Sequence, residues 1–228
     1  MIKGIDVSHW QSHINFEKVK EAGIEFVILK AGGSDKGFYK DSFFEEHYER
    51  AKVAGLKVGA YYFVGHMFYG RQSGEADAKR FLEIIKGKQF DFPVFVDIET
   101  TSPKHKDLAT EAAISFCETM ESAGYFVGIY ASDISGFKER LYLDRLRAYT
   151  MWVANYSREP TYVKEYAIWQ HSSKGSIPGI AGNVDLNLSK TDFAVIREKN
   201  FNGFYNKEET KTKAPKRAAT KRRKSDDI

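Results

Sequence analysis

The strongest constraint on the fold is the alternation of apolar runs with amphipathic stretches. Residues 26–31, 57–63, 94–99 and 127–131 are runs of apolar side chains at successive positions, as in strands covered on both faces. Between them the pattern predicts helices at residues 15–22, 42–54, 74–85 and 108–123, three of which run into Gly23, Gly55 and Gly124. Asn15 suits the first N-cap, and residues 3–8 read as an opening strand. Strands and helices in this order predict a parallel α/β sheet with right-handed crossovers.

The last third breaks the rhythm. After a short helical stretch at residues 137–146, strand-like pieces at 151–156, 166–170 and 184–188 are joined by segments too polar for full helices. Eight strands with about five helices describe a degenerate barrel, shorter than the roughly 250 residues of a regular one.

Charge divides the chain into two domains, residues 1–205 and 206–228. The formal net charge of +4 comes from the second, where nine Lys and Arg stand against four Asp and Glu. The body keeps 26 basic and 27 acidic residues. Apolar periodicity stops near Lys207, so the end reads as a basic, disordered tail. Cys117 shares a helical face with Ala113, Phe116 and Met120 and reads as a core thiol. Residues 1–6 show no signal-peptide order and no run is long enough for a membrane span, so synthesis in the cytoplasm without membrane insertion is expected.

Val94-Phe95-Val96-Asp97-Ile98-Glu99 ends a buried strand in two acids. Alternation puts Asp97 and Glu99 on one face, about 6.6 Å apart along the strand, within reach of one scissile bond. An exposed edge strand would explain two acids equally well, but not the apolar run before them. Asp6 and Asp185 also stand at expected strand ends, and a barrel would bring all four acids to one mouth. Taken singly, each is as well explained as a cap or turn acid. Together they make a cleft that protonates a leaving oxygen or holds a metal through oxygen ligands.

Aromatic residues gather at the same ends: Trp10, Tyr61, Tyr62, Tyr130, Trp152 and Trp169. Such rings stack on sugar faces or fill a core; Tyr62 and Tyr130 each bring a hydroxyl that needs a partner when buried. Gln170 could hydrogen-bond a substrate amide, or could simply be a satisfied strand-end group. The six histidines show no metal spacing, and no phosphate-binding glycine motif or Gly-x-Ser-x-Gly elbow is present. The basic Lys221-Arg222-Arg223-Lys224 cluster lacks the interleaved aromatics of single-strand nucleic-acid binders, so no nucleic-acid partner is expected.

The motifs Gly4-Ile5-Asp6-Val7-Ser8-His9-Trp10-Gln11, Gly55-Leu56-Lys57-Val58-Gly59-Ala60-Tyr61, Asp97-Ile98-Glu99, Trp152-Val153-Ala154, Trp169-Gln170 and Val184-Asp185-Leu186-Asn187 occur in this order. The series resembles the family-25 glycoside hydrolases, the Chalaropsis-type lysozymes of phage endolysins and bacterial autolysins, over about residues 2–189. The resemblance implies an irregular, flattened TIM-like (β/α)5(β)3 barrel. It implies hydrolysis of the β-1,4 bond between N-acetylmuramic acid and N-acetylglucosamine in peptidoglycan, after release or export and with no cofactor or metal. By motif Glu99 is the general acid, Asp97 the second catalytic carboxylate, and Asp6 and Asp185 the flanking acids. Asp97 would then attack C1, activate water or orient the 2-acetamido group, and the family favours the last route. Tyr62, Tyr130, Trp152 and Gln170 are the expected substrate-binding residues. Where relatives often carry Lys-Ala-Thr-Glu-Gly, this chain has Lys30-Ala31-Gly32-Gly33-Ser34. Many relatives also append wall-binding repeats; here the basic tail is the candidate for binding teichoic acids.

Overall fold

The computed structural model describes residues 1–204; the tail expected from Asn206 onward lies outside the described residues. The element order is β1 (Ile2–Val7), α1 (Phe16–Glu21), β2 (Phe26–Gly33), β3 (Tyr39–Lys40), α2 (Phe44–Val53), β4 (Lys57–Phe63), α3 (Gly70–Ile85) and β5 (Val94–Asp97). It continues with α4 (Lys106–Ser122), β6 (Val127–Ser132), β7 (Thr150–Ala154), β8 (Ile168–Gly175), β9 (Val184–Ser189) and α5 (Val195–Glu198). The strands pair in the order β1-β9-β8-β7-β6-β5-β4-β2-β3, and β1 also pairs with β2. That last pairing closes an eight-stranded α/β barrel, with β3 as a short flap on β2.

Seven strands are parallel, and β9 runs antiparallel between β8 and β1. The parallel pattern of the earlier strands stops there for a geometric reason. A parallel return needs a crossover of a dozen or more residues, and only eight separate Gly175 from Val184. The helix expected at 137–146 is also different: a π-helical turn at Asp133–Lys138 and a 3-10 turn at Leu143–Arg145 make that connection. Four α-helices therefore cover the sheet between β1 and β6, and turns and loops make the later connections.

Strand alternation sorts the core into two layers. Val27, Leu29, Val58, Ala60, Tyr62, Val94, Val96, Ile129 and Val153 face outward and pack against the helices. Phe26, Ile28, Phe95, Tyr130, Trp152 and Ile168 face inward and fill the barrel. Two glycines make room for the large inner rings. A Cβ on Gly4 would lie 2.3 Å from the Phe26 ring, and one on Gly128 2.5 Å from the Phe95 ring.

The amino-terminal end of the barrel is closed by residues that follow β9. Phe193 packs on Phe92 and Phe126, and Phe201 packs on Phe126. Asn202 donates from Nδ2 to the Phe92 carbonyl at 2.9 Å, and its Oδ1 accepts from the Phe126 N–H at 2.7 Å. With that end plugged, the carboxyl ends of the parallel strands are the open face. No helix of the described residues is long and apolar enough to cross a membrane.

Candidate active site

Strand parity decides which side chains reach the open face. Phe63 pairs with Asp97, Asp97 with Tyr130, Tyr130 with Trp152, and Asp6 with Asp185. Residues paired in register point the same way, so these side chains all turn into the barrel. Asp185 opens β9 rather than ending a strand. It reaches the mouth because the antiparallel direction of β9 sets its first residues beside the last residues of β1. Strand β5 stops at Asp97, one residue pair short of the expected strand, yet the Ile98 N–H still donates to the Tyr130 carbonyl at 3.0 Å. Glu99 stands just past that bond.

A cleft of about 340 Å³ holds Asp6, Asp97, Glu99 and Asp185, together with His9, Trp10, Lys30, Lys36, Tyr39, Tyr61 and Phe63. A pit of about 120 Å³ in its floor adds Tyr130, Trp152, Tyr156 and Gln170. Larger cavities lie elsewhere, one of about 620 Å³ around Leu143, Arg147 and Tyr166 at the start of β7. Size does not select the site; the convergence of the four acids does.

The expected binding residues divide. Tyr130 lines the pit. Trp152 is its buried floor, held by edge contacts to Phe95 and Tyr61, and so is not a free stacking platform. Gln170 is 3% exposed and spends its amide inside the barrel, donating from Nε2 to Asp6 Oδ2 at 2.9 Å. Tyr62 lies outside the cleft. It pairs with Val96 on the outward face, packs on Phe81 and Phe116, and donates to Asp77 Oδ1 at 3.3 Å. Its neighbour Tyr61 takes the cleft position, because one step along a strand changes the face.

Several site residues were not singled out from the sequence. The Lys30 ammonium lies inside the mouth, 4.5 Å from the centre of the Phe63 ring. Its signal was parity: it is two residues from the inward-facing Ile28. Asn187 is likewise two residues from Asp185; its Nδ2 donates to Asp6 Oδ2 at 2.7 Å. Tyr156 donates to Gln170 Oε1 at 2.9 Å; it closed the expected strand at 151–156 on the same parity as Trp152, but lies in the loop after β7, which ends at Ala154. At the rim, Asp41 Oδ2 lies 2.9 Å from His9 Nδ1, and His9 stacks against Trp10, which is 79% exposed.

Burial is the first cause that raises all four acids. The Asp97 carboxyl is pushed well up by burial and by the Glu99 charge, with Lys30 opposing. Glu99 is raised by the surrounding protein although its side chain opens to solvent, and Lys30 and Arg140 hold it back. Asp6 is raised well up by burial and by Asp185, against the donors Asn187 and Gln170; Asp185 is raised by burial. Neighbouring carboxylates oppose each other's ionisation, which adds to the effect of burial at Asp97 and Asp6. Burial lifts the Asp97 carboxyl further than that of Glu99. The reason is that Asp97 is 4% exposed while Glu99 sits at the open mouth. Among the described residues, no group of three or more His, Cys, Asp or Glu side chains is arranged to hold a metal ion.

A TIM-like barrel with an acidic pair after β5 has known counterparts. Residues 5–180 match the sequence model of Glycosyl hydrolases family 25. The chain belongs to this family. An autolytic lysozyme of Clostridium acetobutylicum is 30% identical over 186 residues, covering 81% of this chain and 55% of that protein. Lysozyme M1 of Streptomyces globisporus is 28% identical over 201 residues, covering 82% of this chain and 67% of that protein. The crystal structure of the bacterial lysozyme from Streptomyces coelicolor aligns with a TM-score of 0.65 and 25% identity, covering 90% of this chain and 98% of that one. This family-25 chain spans little more than half the length of the autolytic lysozyme.

Proposed function

We propose that this protein is a muramidase that hydrolyses the β-1,4 bond between N-acetylmuramic acid and N-acetylglucosamine in peptidoglycan. The observation that carries the reading is the joint placement of Asp97 and Glu99 in an acid-lined cleft at the open end of a family-25 barrel. Two lysozymes among its relatives support the substrate class.

Glu99 opens to the cleft, so it is the carboxyl that reaches the glycosidic oxygen and acts as general acid. Asp97, left ionised, would orient the 2-acetamido group, whose carbonyl oxygen attacks C1 as the bond to the protonated leaving oxygen breaks. Water then opens the cyclic intermediate and leaves N-acetylmuramic acid as the new reducing end. Burial and the Asp185 charge raise Glu99, the direction that general acid catalysis needs. Asp6 and Asp185 form a second pair of acids in the cleft. The basic residues at 207–228 serve teichoic acids, the polyanions of Gram-positive walls.

Digestion of purified peptidoglycan followed by mass spectrometry of the new reducing ends tests the reaction. N-acetylmuramic acid at those ends is the expected result. N-acetylglucosamine would make the enzyme a glucosaminidase, and free amino groups from the stem peptides would make it an amidase or peptidase.

A further inference from the structure

One hydrogen-bond chain crosses the barrel floor, and one group in it has no choice of direction. Trp152 Nε1 carries a proton and cannot accept. It lies 2.8 Å from Asn187 Oδ1, so the amide of Asn187 is oriented with its oxygen toward the indole. Its Nδ2 therefore faces Asp6 Oδ2 at 2.7 Å and donates to it. Asp6 Oδ2 also accepts from Gln170, whose Nε2 lies 2.9 Å away. Gln170 Oε1 is left facing the pit, where Tyr130 Oη lies at 2.7 Å and Tyr156 Oη at 2.9 Å. An amide oxygen has two lone pairs and no proton, so it receives one hydroxyl proton from each tyrosine. Trp152, Asn187, Asp6 and Gln170 are all buried, which strengthens these bonds.

We infer that Trp152 and Asn187 are positioning residues that fix the direction of this chain, so that Tyr130 and Tyr156 meet the substrate as hydrogen-bond acceptors. Both tyrosyl protons are committed to Gln170, and the oxygen lone pairs face the pit. The group they read on the sugar is consequently a donor, an N–H or O–H, and not a carbonyl oxygen. Trp152 acts on it without touching it, through Asn187, Asp6 and Gln170. The inference rests on the muramidase reading for the identity of the substrate, though not for the direction of the chain.

A double-mutant cycle on soluble muropeptide oligomers tests the relay. Trp152→Phe keeps an aromatic ring in the floor and removes the donor that orients Asn187. A misdirected buried hydrogen bond is worth about 1 kcal/mol, so kcat/KM should fall about five- to tenfold. In the background Tyr130→Phe, Tyr156→Phe, the same substitution should cost less than twofold, because the hydroxyls it redirects are gone. An equal loss in both backgrounds would mean that Trp152 acts only through packing, and the relay would be overturned. If Trp152→Phe does not fold, Asn187→Leu interrupts the same chain one link later and is judged by the same comparison. Wild-type protein that yields no muramyl reducing ends would defeat the muramidase reading. An active wild type with an additive cycle would defeat the relay alone.

Discussion

Asp97 Oδ1 is buried with no hydrogen-bond partner among the described residues. A buried carboxyl of this kind costs stability whenever it ionises. The sign follows from the direction of its shift. The folded state binds the Asp97 proton more tightly than the unfolded chain, where a carboxyl near 3.9 is expected. Stability from this group is therefore complete below the unfolded value and is lost as pH rises towards the folded one. Asp97→Asn should raise Tm at pH 7, by roughly 2–4 °C for each kcal/mol relieved, and the gain should vanish near pH 3. A melting series across pH measures this; a gain of the same size at pH 3 would mean that charge is not its source. Glu99→Gln separates stability from chemistry. It should lower turnover about 10²–10⁴-fold while leaving Tm equal or higher, since Gln keeps the shape and cannot give a proton. Near-normal lysis by this variant would remove Glu99 from the acid's role. At this scale the acids were legible and the aromatics less so. Asp97 and Glu99 stand out because carboxyls rarely follow a buried apolar run, but Tyr61 and Tyr62 are adjacent and chemically alike. Only the register against β5 decides which of them faces inward.

The loop between β7 and β8 shows how an element without regular structure is held. Asp133, at the start of the π-helical turn, accepts from the backbone N–H groups of Thr161 at 2.8 Å and Val163 at 2.9 Å, with Tyr162 at 3.2 Å between them. Burial would raise this carboxyl, but the three amide donors win and hold it below its ordinary value. Here the sign is the opposite of that for Asp97: the contribution is complete above the unfolded value and is lost as pH falls from there through the lower folded value. Tyr156 belongs to the tethered loop, so Asp133 fixes one wall of the pit at a distance. Asp133→Ala should cost about 1–3 kcal/mol, and limited proteolysis should cut near residues 156–165 before the barrel unfolds. Unchanged protease resistance of that segment would mean that the loop is held by other contacts. The tether was not legible because Asp133 and Val163 are 30 positions apart and neither lies in a periodic pattern. The helices at 15–22, 42–54 and 108–123 were legible because caps, glycine stops and apolar spacing are local.

For the molecule as a whole, the barrel could be read from its alternating elements, and its closure could not. Closure depends on β9 entering antiparallel between β8 and β1, which a short connection imposes without any motif. A second whole-molecule property is the separation of charge. Residues 1–205 are close to neutral, with 26 basic and 27 acidic groups, while residues 206–228 add nine basic and four acidic ones. The cleft itself collects carboxyls, so attraction to a polyanion cannot come from the catalytic face. The basic residues of the tail are its proposed source. Exposed charges act across about 10 Å at 0.1 M salt and less as salt rises, so retention on an anionic wall should depend steeply on ionic strength. Removing residues 207–228 should weaken co-sedimentation with walls that carry teichoic acids at low salt. The deficit should close as salt is raised and should be absent on walls stripped of teichoic acids. Turnover of soluble fragments should not change, because every residue of the cleft remains. Equal retention of the shortened and full-length proteins on intact walls at low salt would leave the tail without this role.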